Sequence, residues 1–217
     1  MNTRDTMPQA TSLNDLAAGL AVAQKLNCRP VMIHALTDDS RRVEPGTLFV
    51  AVPGEHTDGH DYIADALRRG AAAVVCERPP AELPSRPFLL VANAPAALSE
   101  MAAAFHGRTA DTLRMVGVTG TDGKTTTTTL IRAILNEAGH PAGSLGTVTY
   151  ELGERALDSD QTTPHPIALH RMLQEMREAG LTHVAMEVSS HSLVHRRTAH
   201  VPFDVSVLTN VTEDHLD

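Results

Sequence analysis

Residues 113–118, LRMVGV, form an apolar run of strand length that passes through TGTDGK into TTTTTLIRAILNEAG, a stretch of helical character. A strand that turns through glycines into a helix aims several backbone N–H groups at one point, where the helix dipole also favours negative charge. Gly117, Gly120 and Gly123 permit backbone conformations closed to other residues and a close approach to phosphates. Lys124 then supplies a point charge to terminal phosphates, the Thr125 hydroxyl is placed to hold magnesium, and Thr126 adds a phosphate contact. Thr127 to Thr129 are expected to face neighbours or solvent. The match to G-x-x-x-x-G-K-[ST] is incomplete, because its first glycine falls on Val118, so a glycine-rich turn without a ligand stays open as the plainer reading.

The segments around this junction alternate between strand and helix. TLFVAVPG, GAAAVVCE and FLLVAN read as strands and HDYIADALRRG as a helix, with TSLNDLAAGL from Thr11 as a short amphipathic helix before them. After the Ala-rich helix APAALSEMAAAFHG, the segment IALHRMLQEMREAG carries Leu169, Met172, Leu173 and Met176 on one core-facing stripe and ends at Gly180. THVAMEVS and FDVSVLTNV are continuous apolar runs, the pattern of strands covered on both faces of a parallel sheet. The expectation is an α/β chain with a mainly parallel sheet, divided into residues 1–93 and residues 94–217.

Composition narrows the partners. Lys plus Arg total 18 against 26 Asp plus Glu, a net charge of −8, and there are no Trp, two Tyr and four Phe. A phosphate-tracking surface and base-stacking platforms are both disfavoured, so small molecules and no nucleic acid are expected. Cys28 and Cys76 lie far apart in no metal-like spacing and read as buried structural thiols. The start, MNTRDTMPQA, has no signal-peptide core and no apolar run is long enough to cross a bilayer, so a cytoplasmic chain without membrane insertion is expected.

A phosphate loop needs a second carboxylate for magnesium, usually at the end of a neighbouring strand, and Glu187 closes THVAME where loops gather at the carboxyl edge of the sheet. Taken alone, it is equally a solvated charge. The motifs GVTGTDGKTT, MEVSSHSLVHRR and TNVTEDHLD, in this order, resemble the Mur ligase family of peptidoglycan synthesis. QTTPHP with EVSSH is most similar to the branch that adds the third amino acid to UDP-N-acetylmuramoyl-L-alanyl-D-glutamate. DDSRRVEPGTLFVAVPGEHTDGHDYI and GAAAVV are similar to that branch's UDP-binding domain, so the likeness spans residues 36–217.

The resemblance implies an ATP-dependent ligase: ATP phosphorylates the substrate's terminal carboxylate, and the amine of the incoming amino acid attacks the acyl phosphate. Carried over by position, it implies ATP contacts at Gly120, Thr121, Asp122, Gly123, Lys124, Thr125 and Thr126. It puts a first magnesium on Thr125 and Glu187 and a second on His215, with Lys124, Glu187 and His215 as the catalytic groups. Thr162, Thr163, Ser190 and Arg197 fall at contacts to UDP-N-acetylmuramoyl-dipeptide, and Ser40, Arg41, Gly54, His56, Asp58 and Gly59 where the uridine diphosphate sits. Without the resemblance, His215 is a helix-capping surface histidine.

His191 and His195 are spaced to face one way on a helix, but no HExxH glutamate accompanies them; His191 is expected to hold substrate or loop, and His195 to be surface. Asp122 stands where relatives often have Asn, Ser192 where Gly or Ala is usual, and His165 where an acidic or small residue is common. The family also carries a carbamylated lysine and a C-terminal amino-acid-binding domain beyond the equivalent of Asp217. The chain is therefore expected to be a piece of a longer ligase that does not turn over alone, with meso-diaminopimelate as the commoner third amino acid and a monomeric state. The alternatives are another amide ligase of the superfamily and a non-catalytic nucleotide-binding module.

Overall fold

The computed structural model describes residues 10–54, 57–79 and 85–212; His56 and His215 lie outside the described residues. The chain divides into two compact units, Met1–Phe105 and His106–Asp217.

In the first unit β1 (Thr11–Ser12) leads into α1 (Leu13–Leu16), β2 (Val22–Leu26), β3 (Met32–Ile33), β4 (Ala35–Thr37) and β5 (Thr47–Val50). There follow α2 (Ile63–Arg68), β6 (Ala73–Cys76), β7 (Phe88–Val91) and α3 (Ala94–Phe105). The sheet runs β2-β7-β6-β5-β4; all its pairs are parallel except β2 with β7, while β1 and β3 make a separate antiparallel pair. TLFV, AVVC and FLLV are buried at every position. Continuous apolar runs of this kind mark strands covered on both faces.

Three expectations change here. The helix expected from Thr11 is a single turn: Ser12 caps it by accepting from the Asp15 N–H, and Ala18 bonds back to Asp15 just before Gly19. The boundary expected near residue 93 falls after Phe105, because α3 packs against α1 and β6 and buries Ala97, Leu98 and Met101. Cys76 is buried as a core thiol, but Cys28 is exposed. It follows Asn27, whose positive φ of 46° turns the chain away from the sheet at the end of β2.

The second unit runs β8 (Arg114–Thr119), α4 (Lys124–Glu137), β9 (Ala142–Leu145), β10 (Thr149–Glu151) and β11 (Ala156–Asp158). It continues through α5 (Pro166–Glu178), β12 (His183–Glu187), α6 (Ser190–Val194) and β13 (Val205–Leu208). The sheet order is β11-β10-β9-β12-β8-β13, with the last four strands parallel and a β10–β11 hairpin at the far edge. Leu169, Met172, Leu173 and Met176 of α5 are buried against Met115, Val184 and Met186 of the sheet. The helix stops as its sequence predicts: Gly180 takes φ 85°, and the Leu181 N–H reaches back to the Met176 carbonyl in a Schellman turn.

β12 is covered as expected, whereas β13 is not. Val205 is 51% and Leu208 62% exposed, because β13 pairs with β8 on one side and no described strand lies on the other. β9 is legible only after the fact. AGSL, where the sequence predicts no element, has small residues that answer a packing demand: a Cβ on Gly143 would stand 2.6 Å from the Glu151 carbonyl oxygen and 3.0 Å from Met176 Cε. Among the described residues no helix is long and apolar enough to cross a membrane.

His170 lies on α5 at 1% exposure, and its Nε2 finds no partner among the described residues. Burial pushes its pKa from 6.5 down to about 3, with the positive fields of His106, His200 and Arg108 adding to the shift. The folded state therefore refuses a proton that the unfolded chain accepts. Stability is full above pH 6.5 and is lost as the pH falls from there toward 3. Between pH 7 and pH 5 this one group is expected to cost about 2 kcal/mol. Urea unfolding of His170→Leu should accordingly lose that much less over the same interval than the parent chain.

Candidate phosphate and metal site

β8 and β12 lie side by side in parallel, with Glu187 opposite Val118. That register brings the end of β12 level with the start of the glycine loop. Gly120 at φ 130° and Gly123 at φ 82° turn the chain, and α4 starts at Lys124. The first intrahelical bond is Thr127 N–H to the Gly123 carbonyl, so the N–H groups of Gly123, Lys124, Thr125 and Thr126 open the helix without an intrahelical partner. The Lys124 ammonium donates to the carbonyls of Gly120 and Thr121, at 2.7 Å each. A cation held over a ring of amides at a helix start is an anion site in form.

Glu187 is 1% exposed, and its carboxylate is met from three directions. The Thr125 hydroxyl donates to Oε2 at 3.0 Å, the Thr147 hydroxyl to Oε2 at 3.0 Å, and the Thr147 N–H to Oε1 at 2.9 Å. Gly146 makes room for this: a Cβ there would lie 2.3 Å from Oε1. The structure thus brings Glu187 to the start of α4 at Lys124 and Thr125, which the sequence places far from it. A hydroxyl and a carboxylate at hydrogen-bond distance are hard oxygen donors of the kind magnesium takes, so the residues present fit that ion.

The other expected residues of this unit divide by role. The Thr163 hydroxyl donates to the Glu187 carbonyl at 2.9 Å and accepts from the Ser189 N–H at 3.0 Å, pinning the chain on either side of the carboxylate. Thr162 meets the Thr147 hydroxyl at 3.1 Å. Arg197 donates to the Gln161 side chain at 2.7 Å and to the Thr163 carbonyl at 3.1 Å, and desolvation lowers its pKa. Ser190 lines a cavity of about 250 Å³ together with Gly120, Thr121, Lys124 and Asn210.

Thr121 and Asp122, expected at the nucleotide, bond to Asn210. Their N–H groups donate to the carbonyl and the side-chain Oδ1 of Asn210, at 3.2 and 3.0 Å. They shape the loop, while the open amides are those from Gly123 onward. Thr209 and Asn210 are the residues that reading the motif missed. Their signal was present in TNVTEDHLD, but nothing local says that a strand end so distant in sequence touches the loop.

The departures are accommodated. Asp122 is exposed, and the Ser192 hydroxyl, fully buried, donates to the Ser189 carbonyl at 2.6 Å. His165 precedes α5 without a side-chain capping bond. His191 and His195 lie with ring centroids 4.1 Å apart and planes tilted by 50°, and no group of three metal-ligating side chains occurs among the described residues.

In the first unit, Ser40, Arg41, Gly54 and Gly59 line a cavity of about 510 Å³, joined by Asp39 and Tyr62. Arg41 grips Asp39 with two bonds of 2.9 and 2.8 Å and lowers its carboxyl pKa. Asp58 is not among the lining residues. It accepts from the His60 backbone N–H at 2.9 Å and from Arg78, and its carboxyl is held far below the usual carboxylate range. The His60 Nε2 accepts from the Glu77 N–H at 3.0 Å, so its Nδ1 carries the proton and donates to Asp58 at 2.7 Å. Gly59 is obligatory, since a Cβ would sit 2.6 Å from the Val52 nitrogen and oxygen.

Comparison with known proteins bears on both units. A Mur ligase family catalytic-domain model matches residues 32–106 and a Mur ligase middle-domain model residues 118–217. A UDP-N-acetylmuramoyl-L-alanyl-D-glutamate--2,6-diaminopimelate ligase from Geobacter metallireducens is 43% identical over 205 residues, covering 94% of this chain and 40% of the relative. A UDP-N-acetylmuramyl-tripeptide synthetase from Roseiflexus sp. is 50% identical over 191 residues, covering 85% of this chain and 37% of that one. A solved structure of a UDP-N-acetylmuramoyl-L-alanyl-D-glutamate--2,6-diaminopimelate ligase shares the fold at TM-score 0.77 and 24% identity, over 96% of this chain and 42% of its own. The MurF ligase of Thermotoga maritima in complex with ADP follows at TM-score 0.55 and 26% identity, over 84% of this chain and 39% of its own. The chain thus spans about two fifths of the length of these relatives.

The seat made by Gly146 can be tested directly. Gly146→Ala is expected to push the Glu187 carboxylate off its three donors and to destabilise the chain by about 1–3 kcal/mol in urea unfolding. In a Glu187→Ala background the same change should cost much less, and equal costs in the two backgrounds would show that the contact carries no coupling.

Proposed function

Because the chain belongs to the Mur ligase family, we propose that it forms the nucleotide-sugar and phosphoryl-transfer part of an ATP-dependent amide ligase. The substrate proposed is UDP-N-acetylmuramoyl-L-alanyl-D-glutamate, the amino acid added meso-diaminopimelate, and the setting the cytoplasm; the names of several relatives support the substrate and the amino acid. In that reaction the γ-phosphoryl group of ATP passes to the substrate carboxylate, ADP leaves, and the incoming amine displaces phosphate from the acyl phosphate. The observation that carries the reading is the buried Glu187 carboxylate bonded to Thr125 at the mouth of an amide-lined helix start.

Each side chain then has work that its surroundings suit it for. Lys124, resting on the Gly120 and Thr121 carbonyls, exchanges those partners for phosphate oxygens and offsets their charge. The amides of Gly123 to Thr126 bind phosphate oxygens through the helix start. Thr125 and Glu187 would hold magnesium, which when bound supplies charge neutralisation across the phosphates. Arg197, anchored on Gln161 and Thr163, is proposed to meet the muramoyl-peptide beside Thr162, Thr163 and Ser190. Ser40, Arg41, Gly54, Asp58 and Gly59 are proposed to bind the uridine diphosphate, with Asp58 acting through the loop that it fixes.

Calorimetry on the chain tests the two halves of the reading apart. ATP with magnesium is expected to bind, Lys124→Ala to weaken it at least roughly tenfold, and Glu187→Gln to remove the gain that magnesium gives. UDP-N-acetylmuramoyl-dipeptide should bind without ATP. Heats indistinguishable from buffer for the nucleotide sugar would withdraw the substrate while leaving the nucleotide site standing.

A further inference from the structure

The glycine loop is not free-standing. Asn210, just beyond β13, reads the Asp122 peptide from both sides: its Oδ1 accepts the Asp122 N–H at 3.0 Å, and its Nδ2 donates to the Asp122 carbonyl at 3.2 Å. Since a backbone N–H can only donate and a carbonyl only accept, this geometry fixes which way the amide of Asn210 points. The Asn210 carbonyl takes the Thr121 N–H at 3.2 Å. Thr209 adds its hydroxyl to the Asp122 carbonyl at 2.6 Å, and Thr121 and Thr212 exchange two further bonds of 3.0 and 3.2 Å. Gly120 packs against the same pair, where a Cβ would meet Thr209 Oγ1 at 2.2 Å and the Asn210 carbonyl at 2.7 Å.

We propose that Asn210 is a positioning residue for the phosphate loop, acting through the main chain of Asp122. A loop built on two left-handed glycines loses much conformational entropy when it orders on an anion. Asn210 meets that cost in advance by turning the Thr121 and Asp122 amides away from the anion, which leaves the amides from Gly123 onward facing it. Because the bonds run to the main chain of Asp122, the clamp is indifferent to the side chain there. An aspartate at this position therefore keeps the loop in shape, and only its charge is felt by the phosphates.

The inference rests on the nucleotide reading and is tested by two measurements on the full chain, magnesium–ATP affinity by calorimetry and amide hydrogen exchange at Thr121 and Asp122. Asn210→Ala is expected to weaken ATP about tenfold and to speed exchange at those two amides by a similar factor, with an unchanged melting temperature. Asp122→Asn should leave the exchange as it is. Parent-like exchange in Asn210→Ala, or faster exchange with parent-like affinity, would overturn the proposal. Should Asn210→Ala also lower the melting temperature, Asn210→Asp decides: it keeps the acceptor and must restore protection at Asp122. Absence of ATP binding in the parent chain would sink the nucleotide reading and this role with it, whereas the exchange result would still report on the clamp.

Discussion

A carboxylate sealed at the end of a strand is the constraint around which the second unit is arranged. The Glu187 side chain can be buried because Thr125 and Thr147 donate to its two oxygens and Gly146 leaves room for them. The parallel pairing of β8 with β12 sets its height, so that the residue opposite Val118 faces the helix start rather than the sheet interior. Move that register by one residue and the carboxylate changes faces. Thr163, in the segment ahead of α5, bonds to the Glu187 carbonyl, and Arg197 ties Thr163 to Gln161. One buried side chain thereby organises the loops after β8, β9 and β12.

The first unit solves a similar problem by capping. Asp39 and Asp58 each precede a short 3-10 turn and accept from the backbone two residues on, at Arg41 and His60. Each is also paired with a cation, Arg41 in one case and Arg78 in the other. These turns border a cavity whose wall is set by the loop ahead of Gly59, where backbone approaches backbone too closely for any side chain. Exposed ion pairs contribute little stability. Their value here is geometric, since they hold loop ends in one conformation.

Legibility followed the range of the interaction. The helix α5, its Leu and Met stripe and its glycine stop were readable because periodicity and capping are local. Lys124, Thr125 and Glu187 were readable as chemistry because a Gly-Lys-Thr turn and a strand-ending carboxylate carry their own physical reasons. What escaped was non-local. β9 carries no strand signal of its own, because the small residue Gly143 answers to Glu151, Leu181 and Met176 across the unit. β13 looks doubly covered because its sequence is apolar, though it lies at an edge of the described sheet.

By itself the sequence determined the alternation of strand and helix and the position of the glycine turn ahead of α4, since each depends on residues within a few positions of one another. Only the tertiary structure decided that the Thr121 and Asp122 N–H groups donate to Asn210. It also decided that Asp58 supports a loop instead of lining the cavity. The reason is the same in each case: a backbone N–H or a carboxylate has a fixed capacity for bonds, and which partner fills it depends on strand register, which brings together segments that the sequence keeps far apart.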